Sequence, residues 1–403
     1  MDSEGHWSEL PKDILSMIAK RLQTRVDVLR FRSVCTSWRS SSTLRRIPPP
    51  PLTLSPGLGS FTATETTTYL LEPLDDEGPK RRHLIKVEED EDDQSLGKML
   101  LVCPLSNLKV CPLPENFPMA LDLLDYRISL LHKSYTLRLP FLRKMLVMSS
   151  NPQWTVLILT SDGRLIFTEF GDDVRTPIHQ DFALIMADII ICKGKFYAID
   201  SSGRAFIIDP SLRLIEIAPP PPPPQSVYEI GGNDLVESIG DLLLVRKLWK
   251  FDKRKVYYDK RGIKHDKGSN LNMVVDMKVY RLDEDEWVEV RSLGDRMLFL
   301  GEDCSFSTSA YDDDDDDFHM YKGNYIFYKD RALAYHIEKR NEVLSGLRAH
   351  DVGVFDMASG RVQPLASCPC FAELFWPPET LLAPDTSSSQ CSMLLLEEEL
   401  EEI

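Results

Sequence analysis

Lys195 to Pro219 reads KFYAIDSSGRAFIIDPSLRLIEIAP, and its apolar residues fall into three short runs, KFYAI, AFIID and LIEIAP. Between them stand DSSGR and PSLR, built from the residues that tolerate or impose tight turns. Runs of this length, β-branched and aromatic and bounded by such turns, predict three strands of an antiparallel meander.

The second half of that pattern, strand then turn then strand, recurs with variation. LLVCPLSNLKVCPLP spans Leu100 to Pro114, VYRLDEDEWVEV spans Val279 to Val290, and GVFDMASGRVQPL spans Gly353 to Leu365. The turns near 104, 209, 282 and 356 are separated by 105, 73 and 74 residues. Those gaps approximate three, two and two units of roughly 35 to 37 residues, as radially repeated four-stranded sheets would produce. The fold expected is a large all-β domain, a propeller of six or seven blades, with a sandwich or other all-β arrangement as the alternative.

Further strands are predicted at Thr155 to Thr160 and Leu165 to Phe170 about an SDGR turn, at Asp241 to Val245, at Met297 to Leu300 and at Tyr325 to Tyr328. Strands near 60 to 72 are expected to close the ring by pairing with the last blade. Trp287 belongs to a blade core on this reading, and Trp376-Pro377-Pro378 packs the closing edge. The six prolines from Pro219 to Pro224 cannot enter a ladder and form a stiff exposed connector.

The first 47 residues differ from all that follows. Leu10, Ile14, Leu15, Ile18 and Leu22 recur at spacings of three and four, the stripe of an amphipathic helix starting near Pro11. Asp13 lies in its first turn and Lys20 and Arg21 in its last, as the helix dipole favours. Val26, Val28, Leu29, Phe31 and Val34 suggest a second short helix, and a third runs from about Thr36 through Trp38 to Leu44, before Pro48 to Pro51. Three helices in so short a segment bury little surface and need another domain or a partner. The expected organisation is a helical module over 1–47, a proline-rich linker over 48–59, the β-rich body over 60–384 and an acidic tail over 385–403.

With 403 residues, 47 Lys plus Arg and 63 Asp plus Glu, the chain carries a formal charge of −16 at pH 7. That balance lacks the basic footprint of a duplex binder, so no direct nucleic acid contact is expected. The acidic runs at Glu88 to Asp93, Asp312 to Asp317 and Glu397 to Glu402 read as solvated loops and a frayed tail. Lys80, Arg81, Arg82, His83 and Lys86 form a basic tract, read as a loop in preference to a nuclear import signal. The 8 cysteines are scattered and Met1 to Ser8 has no apolar core, so free thiols in the nucleus, the cytoplasm or both are expected. The most apolar stretch, FALIMADIIIC from Phe182 to Cys192, is broken by Asp188 and suits buried strands, not a membrane span.

Phosphate-binding, dinucleotide-binding, zincin and nucleophile-elbow motifs are missing from the sequence. Cys368-Pro-Cys370 has no second cysteine pair or histidine nearby, and the aspartate run lacks the Gly and terminal Glu of a calcium loop. No catalytic residue, metal or cofactor is expected, and the chain reads as an interaction protein.

WSELPKDILSMIAKRLQTRVDVLRFRSVCTSWRSS, from Trp7 to Ser41, resembles an F-box. The resemblance rests on Leu10-Pro11, the Ile14, Leu15, Ile18 and Leu22 stripe, Asp27, and Val34-Cys35 followed by Trp38-Arg39. It implies a three-helix motif that docks on the Skp adaptor of a cullin-RING ubiquitin ligase. Leu10 and Pro11 would form the first docking loop, while Ile14, Leu15, Ile18, Val28, Phe31, Val34, Cys35 and Trp38 would divide between helix packing and adaptor contact. Trp38 is the best hot-spot candidate, and Arg30 and Arg32 are expected to face solvent. The body, with GGNDLVESIGDLLLV, the VYRLDEDEWVEV hairpin and CFAELFWPPETLL, is similar to the β-propeller domain that plants place behind an F-box. The implied function is that of a substrate receptor in an SCF-type ligase, touching cullin and RING subunits only indirectly and holding an unidentified protein substrate. A non-degradative scaffold or transcription-associated adaptor is the alternative.

Overall fold

The computed structural model describes residues 7, 10–22, 25–42, 52–55, 59–61, 63–74, 82–89, 99–107, 125–136, 139, 141–150, 153–169, 175–178, 184–224, 228–250, 256–258, 264–266, 273–310, 322–330, 352–372 and 374–375. Three helices lead: α1 (Lys12–Ala19), α2 (Arg25–Ser33) and α3 (Thr36–Ser41). Pro11 sits at the α1 N-cap, and its carbonyl accepts the Leu15 N–H at 3.0 Å. The helix stops at Ala19, so Lys20 is its C-cap residue and not part of its last turn, as the sequence suggested. Leu52–Ser55, inside the expected linker, pairs with Gly59–Phe61 at its end across a bulge.

Beyond the head, the described residues form five sheet units. The meander predicted at 195–219 is the core of the third: Met186–Cys192, Lys195–Asp200, Ala205–Ile208 and Leu214–Ala218, neighbours in sequence and antiparallel in space. The second unit runs Leu142–Ser150, Gln153–Thr160, Leu165–Glu169, Arg175–Pro177, and the fourth runs Glu229–Ser238, Asp241–Lys250, Met273–Asp283, Glu286–Val290. In the first, Tyr126–Thr136 pairs with Thr64–Pro73, followed by His83–Glu89 and Met99–Val102. A single pair, Tyr135 with Met145, joins it to the second unit, making one 8-stranded ladder. The fifth orders Ser305–Ser309, Arg296–Leu300, Tyr325–Lys329, Val352–Asp356, Arg361–Pro364, with a parallel pairing between its second and third strands.

The local reason for these hairpins is visible in the third unit. One carboxylate oxygen of Asp200 accepts the N–H groups of Ser202, Gly203 and Arg204, each at 2.9 Å, and the other accepts Arg204 Nε at 2.7 Å. The turn is closed by its first residue and clamped by its last, while Gly203 supplies the positive φ of 98° that the tight reversal requires. Asp209 and Arg213 repeat the device across PSLR, with Asp209 accepting the Arg213 N–H at 2.8 Å and its Nε at 2.9 Å. Thr160 takes the same place before SDGR, its hydroxyl accepting the Arg164 N–H at 2.9 Å.

Five units differ from the six or seven blades expected. The turns near 209 and 282 lie in adjacent units, as do those near 282 and 356, so each of these gaps spans one unit where the spacing suggested two. The fourth unit is long because its first three strands have 10, 10 and 11 residues and an insertion carries its own ladder, Val256–Tyr258 with Lys264–Asp266.

Three further expectations change. Thr64–Pro73 lies inside the first unit and does not pair with the last. The first and fifth units meet instead through packing: Leu70, Leu84 and Leu105 share a core with Phe299, Phe327, Phe371 and Phe375, and Leu84 N–H donates to Leu374 O at 2.6 Å. Phe299 stacks between Phe306 and Phe327, with ring centroids 4.9 Å away on each side. The basic tract is no loop from Arg82 onward: His83–Glu89 is a strand, Arg82 is buried against Glu72, and Lys86 is fully buried. Glu88, read as the start of a solvated acidic run, is likewise a buried strand residue. Of Asp241 to Val245, expected in a unit's core, Leu242 to Val245 are buried and Asp241 at the strand's start is exposed; Trp287 is a core residue, as expected. Trp376-Pro377-Pro378, Cys111, the aspartate run and the acidic tail lie outside the described residues.

Candidate functional site

In the head, Leu15 has no exposed surface and Phe31 is 5% exposed, so both are interior residues. Trp38 is half-buried: its ring lies 4.6 Å from that of Phe31, and its indole N–H donates to Trp7 O at 3.0 Å. Leu10, Ile18, Val28 and Cys35 are also half-buried, whereas Pro11, Ile14 and Val34 are exposed. Of the residues singled out from sequence, the structure thus buries Leu15 and Phe31, sets Trp38 against Phe31, and leaves Pro11, Ile14 and Val34 at the surface.

Among the described residues, five large exposed apolar side chains stand in this short segment: Trp7, Ile14, Met17, Leu29 and Val34, with Trp7, Met17 and Val34 more than half exposed. Met17 was missed by the stripe reading. Its signal was its place three residues after Ile14, which puts both on one helix face. Arg30 and Arg32, expected in solvent, are half-buried and hydrogen-bonded to backbone carbonyls instead. Arg32 donates to Arg39 O at 3.0 Å and to Ser42 O, and Arg39 Nε donates back to Arg32 O at 3.2 Å. Arg30 donates to Tyr126 O at 3.0 Å, tying α2 to the first strand of the first sheet unit. The head therefore offers an apolar surface on a bundle braced against the body.

The body contains a second feature of note. Tyr126–Thr136, Leu142–Ser150, Met186–Cys192, Glu229–Ser238 and Ser305–Ser309 each lie beside the next, and the last also touches the first. They line a partly open cavity of about 140 Å³ to which all five units contribute, among them His132, Lys144, Ile190, Glu237 and Ser307. Two of its lining charges, Lys144 and Asp303, are paired with residues behind the wall. Lys144 meets Asp188 at 2.8 Å, and Asp188 also accepts the Ile189 and Leu235 N–H groups, each at 2.8 Å. Lys86 meets Asp303 at 2.8 Å, and Asp303 accepts the Ser134 hydroxyl at 2.6 Å. Burial pushes the Asp303 carboxyl up, but the Lys86 ammonium and hydrogen bonds from Lys86, Ser134 and Asn107 bring it down to about 2. Burial and the Asp303 charge push the neighbouring Cys304 thiol up to about 12, so it stays protonated.

His132, stacked 6.0 Å from Phe306, is pushed down to about 4 by burial; the Asp303 charge pulls the other way, and the Lys86 and Lys144 charges add to the downward push. A histidine whose folded pKa lies below its unfolded value destabilises the fold as it is protonated in the unfolded chain. Stability should be full above about pH 6.5 and decline toward pH 4, by about 2 to 3 kcal/mol for this group. Urea unfolding at pH 7, 6, 5 and 4.5 checks this. His132→Phe, which keeps the stacking, should flatten that segment of the profile, and an unchanged slope would remove His132 as its source.

Two family models match this chain: F-box domain over residues 7–48 and KIB1-4 beta-propeller over residues 62–356. F-box protein SKIP23 of Arabidopsis thaliana is 30% identical over 412 residues, covering 92% of this chain and 94% of that protein. F-box protein At2g17036 of the same plant is 27% identical over 406 residues, covering 92% and 93%. The WD40 domain of SCAP from fission yeast superposes with a TM-score of 0.22 at 12% identity, over 75% of this chain and 64% of that one, too loosely to bear on the fold. A helical head matching one model and a sheet-built body matching the other, in the same order and over nearly the full length of SKIP23, settle the family: the chain belongs to the plant F-box proteins that carry a KIB1-4 beta-propeller domain behind the F-box.

Proposed function

We propose that this chain is the substrate-recognition subunit of an SCF-type cullin-RING ubiquitin ligase. Its head, residues 1–47, docks on the Skp adaptor, and its body, residues 60–384, forms a propeller that holds a protein substrate. The observation that carries the reading is the concentration of exposed apolar side chains on the F-box head, braced to the body through Arg30. Ile14, Met17 and Val34 are the docking residues of this proposal, and Leu15, Phe31 and Trp38 are the packing that holds them in place. Support for the propeller comes from the five units with successive neighbouring first strands around one cavity.

F-box proteins are non-catalytic adaptors, and among the described residues no three His, Cys, Asp or Glu side chains gather to hold a metal. Among the same residues, no helix is long and apolar enough to cross a membrane. The receptor raises the effective concentration of substrate beside the charged conjugating enzyme, whose chemistry it does not share.

Binding of the full chain to the purified Skp adaptor, measured by calorimetry, tests the proposal. Removing residues 1–47 should abolish it. Met17→Glu and Val34→Glu should each weaken it by about tenfold or more, because a carboxylate would be desolvated at the contact, while helix content stays unchanged. Equal adaptor affinity of the full and truncated chains would sink the assignment. Tight adaptor and client binding without client ubiquitination, in the presence of active cullin, RING and conjugating enzyme, would favour the non-degradative scaffold.

A further inference from the structure

The proline run at Pro219 to Pro224 follows the third unit's last strand, and its burial has a period of three. Ala218 and Pro221 are buried and Pro224 is half-buried, whereas Pro219, Pro220, Pro222 and Pro223 are exposed. A strand would alternate with period two. Period three is that of the polyproline II helix, three residues per turn, which the fixed φ of proline imposes.

One ridge of this helix is held down. Arg246, 1% exposed, donates from Nη1 to the carbonyls of Pro221 and Pro222, both at 3.4 Å, from Nη2 to Ser202 O at 2.7 Å and from Nε to Asn233 Oδ1 at 3.2 Å. Gly203 lies beneath the same ridge, where an added Cβ would come within 2.9 Å of Pro221 Cδ. A plain connector between units needs no buried guanidinium on its carbonyls. The anchor fixes the inward ridge and leaves two adjacent ridges, 219/222 and 220/223, facing out along one rigid rod.

We propose that Pro219–Pro224 is a preformed polyproline II ligand displayed by the body for a protein partner with an aromatic-lined groove. Such grooves take a proline pair at each of two pockets one helical turn apart, about 9 Å. Pro219-Pro220 and Pro222-Pro223 present two exposed pairs at that interval. Aromatic faces complement the run because its exposed surface is apolar pyrrolidine without a charge. Since the conformation exists before binding, the partner need not order it. The inference stands independently of the receptor reading.

The test titrates the full chain into purified SH3, WW and EVH1 domains, following their tryptophan fluorescence, beside a synthetic peptide of residues 217–226. At least one domain should bind the full chain no more weakly than the peptide. Pro220→Ala combined with Pro223→Ala should weaken that binding by about tenfold or more without lowering the melting temperature, because both side chains are exposed. Pro219→Ala with Pro222→Ala should act similarly. If no domain binds the full chain, whether or not the peptide is bound, or if the outward substitutions leave affinity unchanged, the proposal is overturned.

Discussion

Replacing Lys86 by methionine is expected to lower the unfolding free energy by about 3 to 5 kcal/mol, because the Asp303 carboxylate is left buried without its counter-charge. Neither partner has appreciable access to water: side-chain exposures are 0% and 5%. The pair also joins the first sheet unit to the fifth, so its loss opens the seam where the two ends of the body meet. Asp303→Asn should be comparably costly, since it strands the ammonium, while Lys86→Met combined with Asp303→Leu should recover most of the loss. Urea denaturation of the full chain at pH 7 provides the measurement. Single substitutions costing less than about 1 kcal/mol would show that water reaches the pair. The pH dependence has a definite sign. Asp303 has a folded pKa below its unfolded value, so its contribution is complete above about pH 4 and fades as pH falls toward 2.

The second large effect belongs to the head. Leu15→Ala should remove about 2 to 5 kcal/mol by opening a cavity at the centre of three short helices. A bundle so small has little stability to lose, so the substitution should abolish adaptor binding, by about a hundredfold or more. The body should melt as before, since its cores contain none of the residues of α1. Leu15→Met, close in volume, should retain most of the affinity. Ile14→Ala supplies the contrast: the residue is 39% exposed, so stability should change little while adaptor affinity falls. Calorimetric adaptor binding paired with thermal unfolding separates the two. If Leu15→Ala binds the adaptor like the unchanged protein, the head does not depend on this packing.

What could be read from sequence were features whose cause lies within a few residues. The DSSGR and PSLR turns are closed by an aspartate and an arginine four apart, and the α1 stripe by spacings of three and four. The strands at Lys195–Asp200, Ala205–Ile208 and Leu214–Ala218 follow from the same short-range alternation, and they sit where it predicts. The F-box pattern, too, is carried by one contiguous stretch.

Features decided by distant residues were not legible in this way. Nothing local distinguishes Lys86 within a basic tract from a solvated lysine; Asp303, 217 positions away, makes it a core residue. Arg246 reads as a surface cation until the turn at Ser202 and the carbonyls of Pro221 and Pro222 close over it. The number of units depended on where long insertions fall, and turn spacing cannot distinguish one long unit from two short ones. Within the head, the apolar spacings named Leu15, Phe31 and Val34 without dividing them, and passed over Met17. Leu15 and Phe31 point into the bundle while Met17 and Val34 point out, because three helices of 8, 9 and 6 residues can enclose only a few large side chains. Short-range periodicity thus determined the helices of the head and the meander at 195–219, and the packing of residues remote in sequence decided which charges this protein buries and which apolar groups it offers.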